Sequence, residues 1–205
     1  MLIVVSSPSG GGKGTLIDRV RQIVPGVSYS VSYTTRAPRA TEQDAREYFF
    51  VSTAVFEEMI VRGEFLEWAH VYGYLYGTSQ GQVECERAAG HDIILEIDVQ
   101  GAASIRKRID DVVSIFILPP SFELLRERLL ARGTDSPAEL EKRLRGAPAE
   151  VKQHESFQYV ILNDDINRAS QQLAAVIYSE RARRERQEVR LKETFADFGA
   201  VEFAG

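Results

Sequence analysis

The chain has 205 residues, of which 44% are hydrophobic and 27% charged, with a formal net charge of −5 at pH 7. This composition suits a globular protein with a sizeable core, and the acidic balance provides no general field that attracts nucleic acid. Cys85, the single cysteine, excludes an internal disulfide and favours a reducing compartment. No stretch resembles a signal peptide or a membrane-spanning helix, so we expect a cytoplasmic protein without membrane or nucleic-acid partners.

Four short apolar runs predict strands that are buried on both faces. Helical patterns lie between and after these runs, and the first helix is expected to stop at Pro25-Gly26. Strands that alternate with helices predict an α/β fold with a parallel central sheet. The four runs are residues 2–5, DIILEID (92–98), VVSIFIL (112–118) and FQYVILN (157–163).

Two segments interrupt this alternation and divide the predicted domain, which spans residues 1–184. Residues 33–83 hold most of the aromatic side chains and predict a small inserted subdomain of short strands. Residues 126–146 are rich in arginine around a Gly-Thr-Asp-Ser-Pro turn and predict a helical arm with a mobile tip. The core then comprises 1–32, 84–125 and 147–184, and 185–205 forms a charged helix and tail.

The sequence VVSSPSGGGKGTLIDRV, residues 4–20, predicts a phosphate-binding loop between a strand and a helix. Ser7 replaces the first glycine of the usual pattern, and Gly14 shifts the hydroxyl residue to Thr15. Successive glycines let backbone N–H groups turn toward an anion, the helix adds its positive end, and Lys13 reaches the outer phosphates. The predicted ATP contacts are Ser9, Gly10, Gly11, Gly12, Lys13, Gly14 and Thr15.

A second phosphate site is suggested by SVSYTTRAPR, residues 30–39. Arg36 and Arg39 offer the forked donors that suit a phosphate, although on their own they are better explained as solvated charges of a surface loop. The wider sequence resembles guanylate kinase in the order and spacing of its motifs, from about residue 2 to about residue 184. These motifs are SVSYTTRAPR, EYFFVS, GEFLEWAHVYGYLYGTS, ILEIDVQGA, IFILPPS, RLLARGTDS and VILNDD.

This resemblance implies a P-loop three-layer fold with a mixed-β insert that binds the nucleoside monophosphate, and a helical lid. It implies ATP-dependent phosphorylation of GMP to GDP in purine metabolism, and we expect dGMP to be accepted as well. By resemblance, the GMP phosphate is surrounded by Ser32, Arg36, Arg39, Tyr48 and Tyr76. Likewise, the guanine is read by Glu67, Thr78 and Asp98. A carboxylate can accept from the two donors of guanine, and a hydroxyl can donate to its O6 atom.

The resemblance also assigns the arm to a lid over the ATP phosphates. Arg128, Arg132 and Arg143 match residues that contact these phosphates, and with Lys13 and Arg36 they form the predicted catalytic set. The alternative is that some of these arginines only pair with glutamates of the arm. Asn163 matches a residue beside the adenine, although an asparagine after a strand could equally cap the next helix.

Mg²⁺ is the expected cofactor, with Thr15 and Glu96 as ligands either directly or through water. Glu96 stands where many relatives have aspartate, and Ala40, Thr41 and Ala45 replace a proline and glycines that are common in this loop. These replacements are expected to stiffen the segment and slow its closure.

The sequence argues against three other functions. A relative that phosphorylates a ribosyl bisphosphate precursor needs no guanine-reading residues, and an adenylate kinase lacks the T-T-R-x-P-R and Y-G-T-S elements. A scaffold module of the same fold typically loses the phosphate loop, which this chain keeps, and it is flanked by partner domains, which we do not expect here.

Trp68 is expected to pack in the core. The sequence does not determine whether the protein is a monomer or a homo-oligomer.

Overall fold

The computed structural model describes residues 1–39, 42–133 and 136–199, apart from the side chains of Arg132, Val189 and Arg190. Within these residues, a central parallel sheet has five strands in the order β2-β7-β1-β8-β9. Its strands are β1 (Leu2–Ser6), β2 (Val27–Ser30), β7 (Asp92–Glu96), β8 (Val112–Leu118) and β9 (Tyr159–Leu162). A smaller mixed sheet has the order β4-β3-β6-β5 and consists of β3 (Ser32–Thr34), β4 (Tyr48–Phe50), β5 (Phe65–Val71) and β6 (Tyr74–Ser79).

Helices connect and cover these strands. They are α1 (Lys13–Ile23), α2 (Thr53–Val61), α3 (Gln80–Ala88), α4 (Val99–Arg108), α5 (Phe122–Arg132), α6 (Pro137–Lys152), α7 (Ile166–Arg181) and α8 (Arg184–Gly199). A short 3-10 helix, Gln153–Ser156, follows α6. No helix in the described part of the chain is both long enough and apolar enough to span a membrane.

The central sheet lies between two layers of helices, as the apolar runs of β1, β7 and β8 predicted. Burial on both faces was wrong for β9, an edge strand on which Val160 and Leu162 are exposed. Ile3 and Val5 of β1 face a cluster that contains residues of α1 and α7. Leu2 and Val4 face the opposite way, into a cluster with residues of α3 and α4. Burying each such side chain contributes about 1.5–3 kcal/mol, which explains why both faces of the strand are apolar.

One strand of the central sheet was not predicted from the sequence, and two predicted strands were too long. The missing strand is β2, VSYS, which lies at the edge of the sheet and is only partly buried. It therefore lacks the apolar run that marks the inner strands. The run 92–98 ends as a strand at Glu96 because Asp98 already caps α4, and 157–163 forms a strand only over Tyr159–Leu162.

The arginine-rich arm consists of parts of two helices. Gly133 takes a φ of 61° and ends α5, as glycine commonly does at helix C-termini. Ser136 and Glu139 form a reciprocal capping box at the start of α6, where Pro137 occupies the first turn. Helix α6 continues to Lys152, beyond the predicted arm, while Thr134 and Asp135 at the tip lie outside the described residues. The division into core, insert and lid stays a prediction.

The expectation that Trp68 packs in the core is wrong. Its side chain is 47% exposed, while its neighbours Glu67 and Ala69 on β5 are buried. Successive side chains of a strand point to opposite faces, so an inward-facing Glu67 requires an outward-facing Trp68. Of the three loop replacements, Ala40 and Thr41 lie outside the described residues. Ala45 has a φ of 61°, which costs a residue with a Cβ atom roughly 1 kcal/mol.

Candidate active site

A cavity of about 880 Å³ lies at the carboxyl ends of the central strands and extends to the smaller sheet. Ligands of open parallel sheets commonly bind at this edge. Nearly all of the residues predicted to bind nucleotides line this cavity. They are Ser9, Gly10, Gly11, Gly12, Lys13, Gly14, Thr15, Ser32, Arg36, Arg39, Tyr48, Glu67, Tyr76, Glu96, Asp98, Arg128, Arg143 and Asn163. Thr78 lies buried beside Glu67, and the side chain of Arg132 is outside the described part of the structure.

The glycine-rich loop joins β1 to α1 and points the start of the helix into the cavity. Gly12 is the N-cap residue of α1, with a φ of 87°. A Cβ atom built on Gly12 would lie 2.5 Å from the Asn163 side-chain nitrogen, so the position requires glycine for both conformation and space. The first N–H groups of α1 have no acceptor within the helix, and with Lys13 they form an electropositive edge of the cavity.

Two N–H groups of the loop already donate within the protein, and one of them belongs to Gly11, whose N–H was expected to turn toward an anion. The Gly11 N–H donates to the Pro8 carbonyl oxygen at 2.9 Å. The Ser9 N–H donates to a carboxylate oxygen of Glu150 at 3.0 Å. The loop is therefore held partly by its own bonds, and the anion-facing donors belong to its end and to the first turn of α1.

Asn163 fastens the end of β9 to the phosphate loop. Its side chain is buried, and its amide nitrogen donates to the Gly11 carbonyl oxygen at 2.9 Å. The Arg128 guanidinium donates to the Asn163 carbonyl oxygen at 3.0 Å, so α5 meets the same junction. The alternative of a helix cap is wrong for Asn163, because Asp165 caps α7 by accepting from the Arg168 N–H at 2.8 Å.

A buried carboxylate and hydroxyl lie together on the smaller sheet. The Thr78 hydroxyl donates to a carboxylate oxygen of Glu67 at 2.6 Å, and both side chains are buried. Burial raises the pKa of Glu67 to about 7, and the neighbouring charge of Asp98 acts in the same direction. This pair therefore places an acceptor that is partly charged at neutral pH next to a hydroxyl donor.

Asp98 also has a structural role, because it caps a helix. Its carboxylate caps α4 by accepting from the Gly101 N–H at 3.0 Å and the Gln100 N–H at 3.3 Å. A Cβ atom on Gly101 would lie 2.5 Å from a carboxylate oxygen of Glu67, so the glycine permits close approach of α4 to that carboxylate. Asp98 thus lies beside the pair Glu67 and Thr78 while also capping the start of α4.

Two arginines near the smaller sheet share one carboxylate, that of Glu42. The Arg36 guanidinium lies 2.9 Å from Glu42, and Arg39 contacts the same carboxylate through its backbone N–H at 2.8 Å and its side chain at 3.4 Å. Burial opposes ionisation of Glu42, but the bonds from Arg39 and Arg36 hold its pKa below the usual value. Burial also disfavours the Arg36 cation, yet Tyr76 and Glu42 keep its pKa raised.

Aromatic side chains surround this arginine. The Arg36 guanidinium lies 5.5 Å from the ring centre of Tyr48, and its Nε donates to the Tyr76 hydroxyl at 3.3 Å. Burial raises the pKa of Tyr48, so its phenol remains a neutral donor at physiological pH. Ser32 is also buried at the edge of the cavity. The corner thus offers guanidinium and hydroxyl donors, the groups that bind phosphate oxygens.

The arginines of α5 and α6 differ in whether they reach the cavity. Arg143 of α6 lines the cavity and donates to the Ser9 hydroxyl at 2.7 Å. Arg145 instead pairs with Glu141 at 2.6 Å on an exposed face of α6, as the alternative for the arm proposed. Among the described side chains of the arm, the arginines that line the cavity are therefore Arg128 and Arg143.

Comparison with known proteins identifies the family. A family model described as guanylate kinase matches residues 1–180. The chain belongs to the guanylate kinase family. It is 47% identical to a guanylate kinase of Symbiobacterium thermophilum over 201 residues, covering 98% of this chain and 95% of the relative. A guanylate kinase of Aromatoleum aromaticum is 50% identical over 182 residues, or 89% of each chain.

A solved structure agrees with the family assignment. The crystal structure of guanylate kinase from Anaplasma phagocytophilum superposes with a TM-score of 0.79 and is 33% identical, covering 98% of this chain and 96% of that one. The parallel sheet, the second mixed sheet and the glycine-rich loop of this chain therefore belong to an α/β P-loop fold of the guanylate kinase type.

Kinases that use ATP generally need a divalent metal ion, and the cavity offers few protein ligands for one. Among the described residues, no group of three or more histidine, cysteine or acidic side chains could hold a metal. Glu96 and the Thr15 hydroxyl line the cavity, and the Tyr29 hydroxyl donates to Glu96 at 3.3 Å. One carboxylate and one hydroxyl fit Mg²⁺, which keeps several waters and binds substrate phosphates.

Three residues of the candidate site were not predicted from the sequence. Glu42 lies six residues after Arg36 in the same loop, so a carboxylate beside two arginines was a detectable signal. Tyr72 and Glu150 gave no such signal, because they lie 78 residues apart in the chain and meet only through the fold. Both line the same cavity.

Proposed function

We propose that the chain transfers the γ-phosphoryl group of ATP to GMP and forms GDP. The observation that supports this most directly is one cavity with two complementary ends. One end is the phosphate loop with Lys13, and the other is the buried pair Glu67 and Thr78. Guanylate kinases of two bacteria, similar over most of this chain, provide the family context for the same reaction.

Guanine recognition rests on the matching of donors and acceptors. The ionised Glu67 carboxylate accepts from the N1–H and the amino group of guanine, and the Thr78 hydroxyl donates to O6. Because Thr78 has one proton and donates it to Glu67 in the free protein, guanine binding requires this hydroxyl to rotate. The N1 atom of adenine is an acceptor, so adenine would offer the buried carboxylate no donor at that position. AMP is therefore discriminated against strongly.

The GMP phosphate binds between Arg36 and Arg39, with the hydroxyls of Ser32, Tyr48 and Tyr76 as further donors. Glu42 pairs with both arginines in the free protein and offsets one of their two positive charges, so the phosphate joins a site that is still cationic and whose side chains are held in position. A pre-arranged fork reduces the ordering that phosphate binding costs. The dianionic phosphate also provides the attacking oxygen, which needs no strong general base.

Transfer is promoted by position and by charge. Lys13 and the first N–H groups of α1 bind the β- and γ-phosphates, and Arg128, Arg143 and Arg132 neutralise charge on the phosphoryl group as it moves. Asn163 shapes the loop beneath the nucleotide and borders the adenine side. Closure of the insert 33–83 and the lid 126–146 aligns the two substrates and excludes water.

A Mg²⁺ ion bound with ATP would neutralise negative charge on its phosphates. Thr15 and Glu96 would hold it, in part through water. Because none of the proposed contacts involves the 2′-hydroxyl of the acceptor, dGMP is also a substrate.

The test is ADP release from purified protein with ATP, Mg²⁺ and, separately, GMP, dGMP, AMP, CMP and UMP. We expect rapid release with GMP and dGMP and a rate at the level of the nucleotide-free control with the others. Thr78→Val removes the O6 donor with little change in volume and should raise the KM for GMP more than it changes the KM for ATP. Equal rates with GMP and AMP would overturn the proposed base recognition.

A further inference from the structure

Tyr72 connects the acceptor side of the cavity to the lid. It lies in the turn between β5 and β6, the two strands that also carry Glu67 and Thr78. Its φ of 50° is in the left-handed region, and Gly73 follows with a φ of 97°. A tyrosine there costs roughly 1 kcal/mol or more of backbone strain, so the side chain is held by contacts elsewhere.

Those contacts lie on α6. The Tyr72 hydroxyl donates to one carboxylate oxygen of Glu150 at 2.6 Å. A Cβ atom on Gly146, one turn earlier in the helix, would lie 2.8 Å from the same hydroxyl oxygen. The absence of a side chain at Gly146 therefore leaves room for the phenol to reach its carboxylate acceptor.

Glu150 passes the contact on to the phosphate loop. Its second carboxylate oxygen accepts from the Ser9 N–H at 3.0 Å, so one side chain bonds both to the hairpin and to the loop. Arg143 reinforces this junction, because it donates to the Ser9 hydroxyl at 2.7 Å and its guanidinium lies 5.1 Å from the ring centre of Tyr72. The hairpin, the lid and the loop thus meet at one cluster, formed by Ser9, Tyr72, Arg143 and Glu150.

We propose that Tyr72 is a positioning residue that, through Glu150, couples GMP binding on the smaller sheet to the arrangement of Ser9 and Arg143 around ATP. This inference rests on the proposed function. GMP contacts the strands that flank the Tyr72 turn, so an occupied acceptor site holds the hydroxyl against Glu150. The carboxylate then fixes the start of the phosphate loop, and Arg143 is kept beside Ser9. By thermodynamic reciprocity, bound ATP must favour GMP binding by the same factor.

The test compares the wild type with Tyr72→Phe, which removes one oxygen and keeps the ring beneath Arg143. Calorimetry gives the affinity for a non-hydrolysable ATP analogue with Mg²⁺, without GMP and with saturating GMP. The ratio of these two affinities is the coupling between the sites. We expect GMP to tighten analogue binding in the wild type, and Tyr72→Phe to reduce this ratio by about tenfold or more, as for loss of a hydrogen bond to a charged group.

Tyr74→Phe is the matched control, because Tyr74 belongs to the same hairpin at the start of β6 and lies outside the cluster. It should keep the wild-type ratio. Glu150→Gln should also lower the ratio, and the double variant with Tyr72→Phe should lower it no further, since both changes interrupt one connection.

Three results would overturn the inference. These are a wild-type protein in which GMP leaves analogue affinity unchanged, a Tyr72→Phe variant with the wild-type ratio, or a Tyr74→Phe variant that loses as much coupling as Tyr72→Phe. A wild type that binds the analogue but not GMP is a different failure, because it would overturn the proposed function and this inference with it.

Discussion

Glu67 gives the binding of GMP a pH dependence that follows from its burial. The carboxylate is 4% exposed, and burial raises its pKa to about 7. In the proposed complex, guanine presents two donors to this side chain, so binding requires the ionised form. Affinity should therefore rise as the pH increases through 7. By the same titration, about nine-tenths of Glu67 is ionised at pH 8 and about one-tenth at pH 6, which predicts an affinity loss of about tenfold, or about 1.4 kcal/mol.

Calorimetric titration of GMP between pH 6 and pH 8 measures this loss, and Glu67→Gln is the control. The GMP phosphate itself titrates with a pKa of about 6, so part of the pH dependence comes from the ligand. Glu67→Gln should bind GMP more weakly at pH 8 and show only the phosphate part. If the wild type and Glu67→Gln lost affinity in parallel from pH 8 to pH 6, the argument from burial would be refuted.

The raised pKa of Glu67 also affects folding stability in the absence of nucleotide. A folded-state pKa above the unfolded value of 4.5 means that this carboxyl stabilises the fold only when protonated. Its contribution is therefore present below pH 4.5 and is lost as the pH rises through about 7, at a cost of up to about 3 kcal/mol. Glu67→Gln should accordingly have a higher Tm than the wild type at pH 8, and a lower Tm there would contradict this reasoning.

Three further predictions concern the phosphate loop and the lid. Gly12→Ala combines a strained φ with a contact of 2.5 Å to the Asn163 amide, so calorimetry should show loss of ATP-analogue binding with GMP affinity retained. Lys13→Met should lower kcat by about a thousandfold, as expected for a charge-stabilising donor, and a kcat within a factor of about three of the wild type would count against its role. Ser136→Ala breaks the capping box with Glu139, so thermal unfolding should show a free energy of unfolding that is lower by about 1 kcal/mol. An unchanged Tm would contradict this prediction.

The sequence predicted the inner strands well because their burial on both faces leaves a continuous apolar run. VVSIFIL became β8 with the bounds that the run suggested, Val112–Leu118. The edge strand β2 was missed because a partly buried edge tolerates polar residues such as Ser28 and Tyr29. Trp68 was misplaced although the two-residue period of a strand, applied to Glu67, already required it to face outward.

The candidate site was predictable where its residues belong to local motifs. The glycine-rich loop and the pair Arg36 and Arg39 are short segments with recognisable chemistry, and the fold places them at one cavity. Glu150 could not be found in this way, because it lies in the last turn of α6 and is 141 residues from Ser9 in the chain. Its role depends on the approach of α6 to the loop, which no periodicity or spacing encodes.

The most direct test of the proposed reaction follows the transferred atom. Purified protein is incubated with Mg²⁺, GMP and ATP labelled in the γ-phosphoryl group, and the products are separated. In-line transfer to GMP predicts that the label appears as the β-phosphoryl group of GDP, in amounts equal to the ADP formed. Label recovered as free phosphate, with GMP unchanged, would show that the cavity hydrolyses ATP and would contradict the account.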